Sequence, residues 1–113
     1  MHEYGITQGI LSIALEKANE AEARRVSHVN IVTGELSGIV DDCVQFYFEL
    51  LSKDTIASQA ILSFQHPPVR LRCRNCNAVF TPVAQDWNCP ECGEYKPEII
   101  SGRECYVDSI EVE

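Results

Sequence analysis

The chain has 113 residues, 45% of them hydrophobic, six cysteines and a net charge of −8, which fits one domain or two very small ones. So acidic a chain is a poor polyanion binder, which argues against a nucleic-acid partner, and no apolar run approaches the roughly 20 residues of a membrane-spanning helix. Met1-His2-Glu3-Tyr4-Gly5 lacks the basic stretch and apolar core of a secretion signal, so a cytoplasmic protein is expected, in which cysteines stay reduced and free for metals.

The first predicted element is a helix from Ile6 to about Val26. Ile6, Ile10, Ile13, Ala14, Ala18 and Ala21 recur at helical spacing and make one apolar stripe. Glu16, Lys17, Glu20 and Glu22 supply the wet face, and Arg24 and Arg25 are expected in the last turn, where the helix dipole favours cations. Residues 27–36 switch to a period of two, with Val29, Ile31 and Thr33 on one side, and read as a strand. Gly34-Glu35-Leu36-Ser37-Gly38 is a loop, with Ser37 a candidate cap for the helix that follows. That second helix runs to about Lys53. It is apolar over most of its circumference (Val40, Cys43, Val44, Phe46, Tyr47, Phe48, Leu50, Leu51), so it is expected to be the more buried of the two. Ala60–Gln65 is a second strand with Leu62 and Phe64 on one face, ended by His66-Pro67-Pro68 because proline cannot donate to a ladder.

Residues 69–103 differ in kind. They hold five basic and four acidic side chains and four of the six cysteines, leaving −9 on the rest of the chain. Glu104–Glu113 then closes the chain as a third strand with Tyr106, Ile110 and Val112 on one face. A two-stranded sheet is marginal alone, so this strand is expected to return to the first sheet and complete it. The fold class expected is α+β: two helices packed on a three-stranded sheet, with an inserted zinc-ribbon-like four-cysteine domain. Residues 1–68 plus 104–113 form the α+β domain and 69–103 the zinc-binding domain.

The insert carries the clearest chemistry. Cys73-Arg-Asn-Cys76 and Cys89-Pro-Glu-Cys92 are two C-x-x-C pairs with twelve residues between them. Each pair can place its sulfurs on adjacent corners of one tetrahedron, and the two together complete a four-cysteine zinc site. Asn77 and Gly93 follow the pairs, where a left-handed residue lets backbone N–H groups turn toward sulfur. Four thiolates leave no open position, so the site is structural. A segment this short needs a metal to fold, with Phe80 and Trp87 as its miniature core. Iron in a rubredoxin-like knuckle is the competing metal, disfavoured by the less aromatic flanks. A zinc-ribbon module for protein or nucleic acid is the competing function, resting on Arg70, Arg72 and Arg74, which equally serve to offset the thiolate charge. Cys43 and Cys105 sit on apolar patterns and read as core, and His28 and His66 as structural or exposed.

At the other end stands Met1-His2-Glu3. A histidine in second place puts an α-amine, an amide nitrogen and an imidazole in series. Amine and amide can close a five-membered chelate ring, and amide and Nδ1 a six-membered one. Three nitrogens in a plane suit Ni(II) or Cu(II), and Glu3 can add its backbone nitrogen or its carboxylate.

Met1-His2-Glu3, the helix after it, the Gly34–Gly38 loop, the two C-x-x-C pairs and the Ile110-Glu111-Val112 ending together resemble the HypA/HybF family, nickel-incorporation proteins for [NiFe]-hydrogenase maturation. The resemblance covers essentially the whole chain. It implies a metallochaperone and not an enzyme, with a nickel-binding α+β domain and an inserted four-cysteine zinc domain. It implies that His2 is the essential ligand of an exchangeable Ni2+, assisted by the Met1 amine and Glu3, with Asp41 or Asp42 as candidates for a further carboxylate, since Val40 disturbs the match there. The partners it implies are a HypB-type GTPase/ATPase, the hydrogenase large subunit and, in some relatives, urease maturation proteins. The chain is expected as a monomer or homodimer.

Overall fold

A computed structural model describes residues 2–113, and Met1 lies outside the described residues. The elements are α1 (Glu3–Glu20), β1 (Val26–Thr33), α2 (Asp41–Leu51), β2 (Ile61–Gln65), β3 (Arg70–Cys73), β4 (Val79–Phe80), β5 (Pro97–Ser101) and β6 (Cys105–Val112). They form two three-stranded sheets, ordered β2-β1-β6 and β4-β3-β5. β2 runs parallel to β1, reached through α2, and β6 returns antiparallel on the other side of β1. The molecule is elongated, 55 × 25 × 17 Å, and has two separate apolar clusters. One joins α1, α2 and the first sheet; the other lies within the cysteine-rich segment. The α+β class and the return of the last strand agree with the sequence reading.

Helix α1 is shorter at its far end than its apolar pattern implies. The Ala23 N–H donates to Ala18 O (2.9 Å) and the Glu22 N–H to Asn19 O (3.0 Å), while Glu22 turns left-handed at φ 53°. That pair of bonds closes the helix in a Schellman motif. Arg24 and Arg25 therefore lie beyond it. Their N–H groups donate to Glu113 O at 2.8 and 3.2 Å, and the Arg25 guanidinium meets Glu113 Oε2 at 2.6 Å. The buried stripe is Glu3, Thr7, Ile10, Leu11, Ala14 and Ala18. Ile13 and Ala21 face solvent instead.

Helix α2 corrects a larger expectation. Only Val44 and Phe48 are buried on it, and Phe46 stands 58% exposed. The reason is its place in the layer. α1 lies against β1 and β6, whereas α2 packs chiefly against α1, so its neighbours cover one face. Ser37 does not cap it: its Oγ accepts the Ile39 N–H (3.2 Å), and Val40 holds the N-cap position without a side-chain bond.

Strand β6 departs from simple alternation. Val107 pairs with Ile31 and Ile110 with Val29, with a register shift between them. A bulge adds one residue and reverses the parity of side chains across it. Val107 and Ile110 therefore pack on the core, while Tyr106 and Val112 are exposed. Cys43 and Cys105, read as core residues, are both exposed.

Candidate metal centre

The two cysteine pairs fold into the same local turn. In the first, the Asn77 N–H donates to Cys73 O (2.8 Å) and the Cys73 N–H to Ala78 O (2.9 Å); in the second, the Gly93 N–H donates to Cys89 O (2.9 Å) and the Cys89 N–H to Glu94 O (3.0 Å). Asn77 and Gly93 take the left-handed conformation at φ 65° and 79°, as their sequence positions required. In each turn the N–H two residues past the second cysteine favours that cysteine's thiolate, Ala78 for Cys76 and Glu94 for Cys92. The first pair stands at the end of β3, where Arg70-Leu71-Arg72-Cys73 alternates polar and apolar and so buries Leu71 and Cys73. Val69, Phe80 and Cys89 complete the cluster, with Ala78, Trp87 and Ile99 against it.

All four sulfurs lie within 4.8 Å of one another. Cys73 and Cys92 are 3.6 Å apart, as are Cys76 and Cys89. A tetrahedral ion with bonds of about 2.3 Å needs sulfurs roughly 3.8 Å apart, so this donor set fits a zinc-sized cation. The electrostatics point the same way. Asn75 Nδ2 donates to Cys92 Sγ (3.4 Å); that bond first, then the Glu94 N–H, draws the Cys92 thiol down to about 6. The Ala78 N–H favours the Cys76 thiolate, but the sulfurs of Cys89, Cys92 and Cys73 together with burial outweigh it and push that thiol up to about 12. Sulfurs this close cannot all carry negative charge unless a cation sits among them. Nothing in the sequence singled out Asn75. Arg72 answers a different charge: its Nη1 meets Glu98 Oε1 at 3.0 Å across the β3–β5 ladder.

The candidate N-terminal donors stand apart. His2 is exposed at the N-cap of α1, and its carbonyl accepts the Ile6 N–H (3.1 Å). Glu3 is 9% exposed, and its Oε2 accepts the Val40 N–H (3.2 Å). Its own backbone N–H, then that of Val40, hold its carboxyl below the ordinary value of 4.5. Asp41 turns to another partner, His66 Nε2, 2.5 Å from its Oδ2, and Asp42 is exposed. Among the described residues the four cysteines are the one set of three or more ligand side chains that converge. Glu3 and Asp41 are thus near in the chain fold through Val40, but the structure does not gather them with His2 into a closed cage.

Comparison with known proteins finds one family over nearly the whole chain. A family model described as hydrogenase/urease nickel incorporation, metallochaperone, hypA, matches residues 1–112. A hydrogenase maturation factor HypA from Dehalococcoides mccartyi is 46% identical over 113 residues, covering 100% of this chain and 95% of the relative. One from Geobacter sulfurreducens is 42% identical over 114 residues, covering both chains completely. Among solved structures, a solution structure of HypA protein superposes with a TM-score of 0.80 at 28% identity, over 100% of this chain and 97% of that one. The solution structure of the Ni metallochaperone HypA from Helicobacter pylori gives 0.71 at 28% identity, over 99% and 97%.

Proposed function

The chain belongs to the HypA family of hydrogenase/urease nickel-incorporation metallochaperones, and from that premise we propose that it carries Ni(II) at its N-terminus and delivers it during [NiFe]-hydrogenase maturation. The Met1 amine and the His2 amide and imidazole are the nickel donors in this reading, with Glu3 beside them. Cys73, Cys76, Cys89 and Cys92 hold a structural zinc. Residues 1–68 plus 104–113 act as the nickel-binding domain and 69–103 as the zinc-binding domain. A HypB-type GTPase/ATPase and the hydrogenase large subunit are the partners, in the cytoplasm.

The observation that carries the reading is the division of labour between the two ends. The cysteine site has four converging sulfurs and no place for an exchangeable ligand. His2 is exposed and outside any cage. Cargo needs an open site, since tight enclosure opposes transfer, and nitrogen donors in a plane suit nickel better than zinc. The test is a nickel titration of the untagged protein against His2→Ala, with zinc content measured in parallel. The wild type is expected to bind about one equivalent of Ni(II) and His2→Ala to lose it with zinc retained. Equal nickel affinity in the two proteins sinks the assignment.

A further inference from the structure

One carboxylate stands between the starts of both helices. Neither helix has a side-chain cap of the usual kind: His2 precedes α1 and Val40 precedes α2, and neither side chain bonds to its own helix. Glu3, the first residue of α1, reaches instead across 37 residues of sequence to the Val40 N–H, 3.2 Å from its Oε2. Its own backbone N–H also favours the charged carboxylate. Thr7 Oγ1 donates to the Glu3 carbonyl at 2.5 Å, which fixes the same residue from the other side. The result is a glutamate that is 9% exposed, next to a histidine that is exposed.

The electrostatics give this placement a consequence. Each helix start leaves N–H groups unpaired and carries partial positive charge. Two such ends meet here, beside the residues read above as nickel donors. A cation placed there is opposed by both dipoles. An anion held between the ends offsets that opposition, and it does so only while it remains bonded to them. A carboxylate drawn into the coordination sphere would release Val40 and free the first turn of α1.

We infer that Glu3 is a positioning residue, whose carboxylate ties the start of α1 to the N-cap of α2 and so holds His2 in place, and that this carboxylate is not a nickel donor. The inference rests on the reading of Met1 and His2 as the nickel site.

The test compares wild type, Glu3→Gln and Glu3→Asp, with His2→Ala alongside. Three quantities are read: Ni(II) affinity, the ligand-field absorption of the nickel-loaded protein, and hydrogen exchange of the Val40 amide without nickel. Glu3→Gln is expected to leave the absorption bands in place, because the donor set is unchanged. Its affinity is expected to fall about 10-fold or more, as when an outer partner of a metal ligand is removed. The Val40 amide is expected to exchange faster. Glu3→Asp, one methylene too short to span the two helix starts, is expected to behave alike. A shift of the absorption bands in Glu3→Gln overturns the inference, because it places the carboxylate on the metal. Unchanged affinity with unchanged Val40 exchange overturns it as well. The two readings fail separately: His2→Ala binding nickel normally defeats the nickel site, whereas the Val40 exchange in Glu3→Gln still decides the tether.

Discussion

A β-carbon on Gly34 would meet the Gly102 carbonyl oxygen at 2.2 Å and Glu104 Oε1 at 2.6 Å. The approach is close because the loop after β1 is bonded to both chain crossings between the sheets. The Gly34 N–H donates to Glu104 O (2.7 Å), the Glu35 N–H to Pro67 O (2.9 Å) and the Leu36 N–H to Gly102 O (2.6 Å). The Gly102 N–H in turn donates to Glu104 Oε1 (2.7 Å). Pro67 leads into the cysteine-rich segment and Gly102–Glu104 leads out of it, so one loop fastens both. The same loop runs on to Val40, the residue that Glu3 holds.

Gly34→Ala is therefore expected to destabilise the protein, by about 1–3 kcal/mol as for other overpacked positions. The two nearest atoms are the Gly102 carbonyl carbon and oxygen, so swinging the Glu104 side chain away does not relieve the clash. Gly9→Ala supplies the contrast. Nothing lies within 4 Å of a β-carbon there, it is inside α1, and alanine is expected to stabilise by up to about 1 kcal/mol. Urea midpoints of the two variants measure both effects. A Gly34→Ala midpoint at or above that of wild type would show that the loop yields without cost.

What the sequence made legible follows the range of the forces involved. The cysteine turns are local: each closes within six residues, and the left-handed sites at Asn77 and Gly93 could be placed from side-chain chemistry alone. Strand β1 was legible because Val29, Ile31 and Thr33 recur at a period of two and are all buried, although Val32 on the opposite side is buried as well. The face of β6 was not, because the bulge that exchanges Tyr106 for Val107 depends on how the strand meets β1. The exposure of Phe46 and Leu50 was not, because an apolar period says which residues can be buried, not how many neighbours arrive to cover them. The Glu3–Val40 bond joins residues far apart in sequence and left no trace in composition or spacing.

Removing the metal is expected to melt one half of the molecule and spare the other. The cysteine-rich segment has a small cluster of Val69, Leu71, Cys73, Phe80 and Cys89, and two of those five belong to the candidate metal site. So small a core does not hold a chain of this length without its ion. The first sheet and both helices have their own cluster. Trp87 is the single tryptophan and packs on the second cluster, so its fluorescence reports that half alone. Chelation is expected to move its emission to the red while most helical circular dichroism persists. Loss of both signals together would mean that the two halves fold as one unit.

Thiol labelling separates the cysteines in the metal-loaded protein. Cys43 and Cys105 are exposed, and the other four are expected to be protected as metal ligands. Two equivalents of an aromatic disulfide reagent should therefore react quickly, rising to six after chelation and unfolding. Cys43 is expected to react ahead of Cys105, whose thiol is pushed up by partial desolvation of its sulfur and so offers less thiolate near neutral pH. Peptide mapping of the first labelled product identifies the order. Rapid loss of a residue from either C-x-x-C pair in the loaded protein would contradict the four-sulfur site.

Acid should weaken metal binding in the cysteine site. Binding requires every sulfur to be a thiolate, so protons compete with the metal. The metal-free segment is expected to be melted, and an unfolded thiol titrates at about 8.5. Near pH 7 and below, about four protons should therefore leave per metal bound, and the logarithm of apparent affinity should fall by about four for each unit of pH lost. Calorimetry in buffers of different ionisation enthalpy counts those protons. The Asn75 amide meets Cys92 only in the folded segment, where that bond first, then the Glu94 N–H, draws the Cys92 thiol down to about 6. A release of only about three protons at pH 7, rising to about four in Asn75→Ala, would mean that the cluster stays folded with a Cys92 thiolate before the metal arrives.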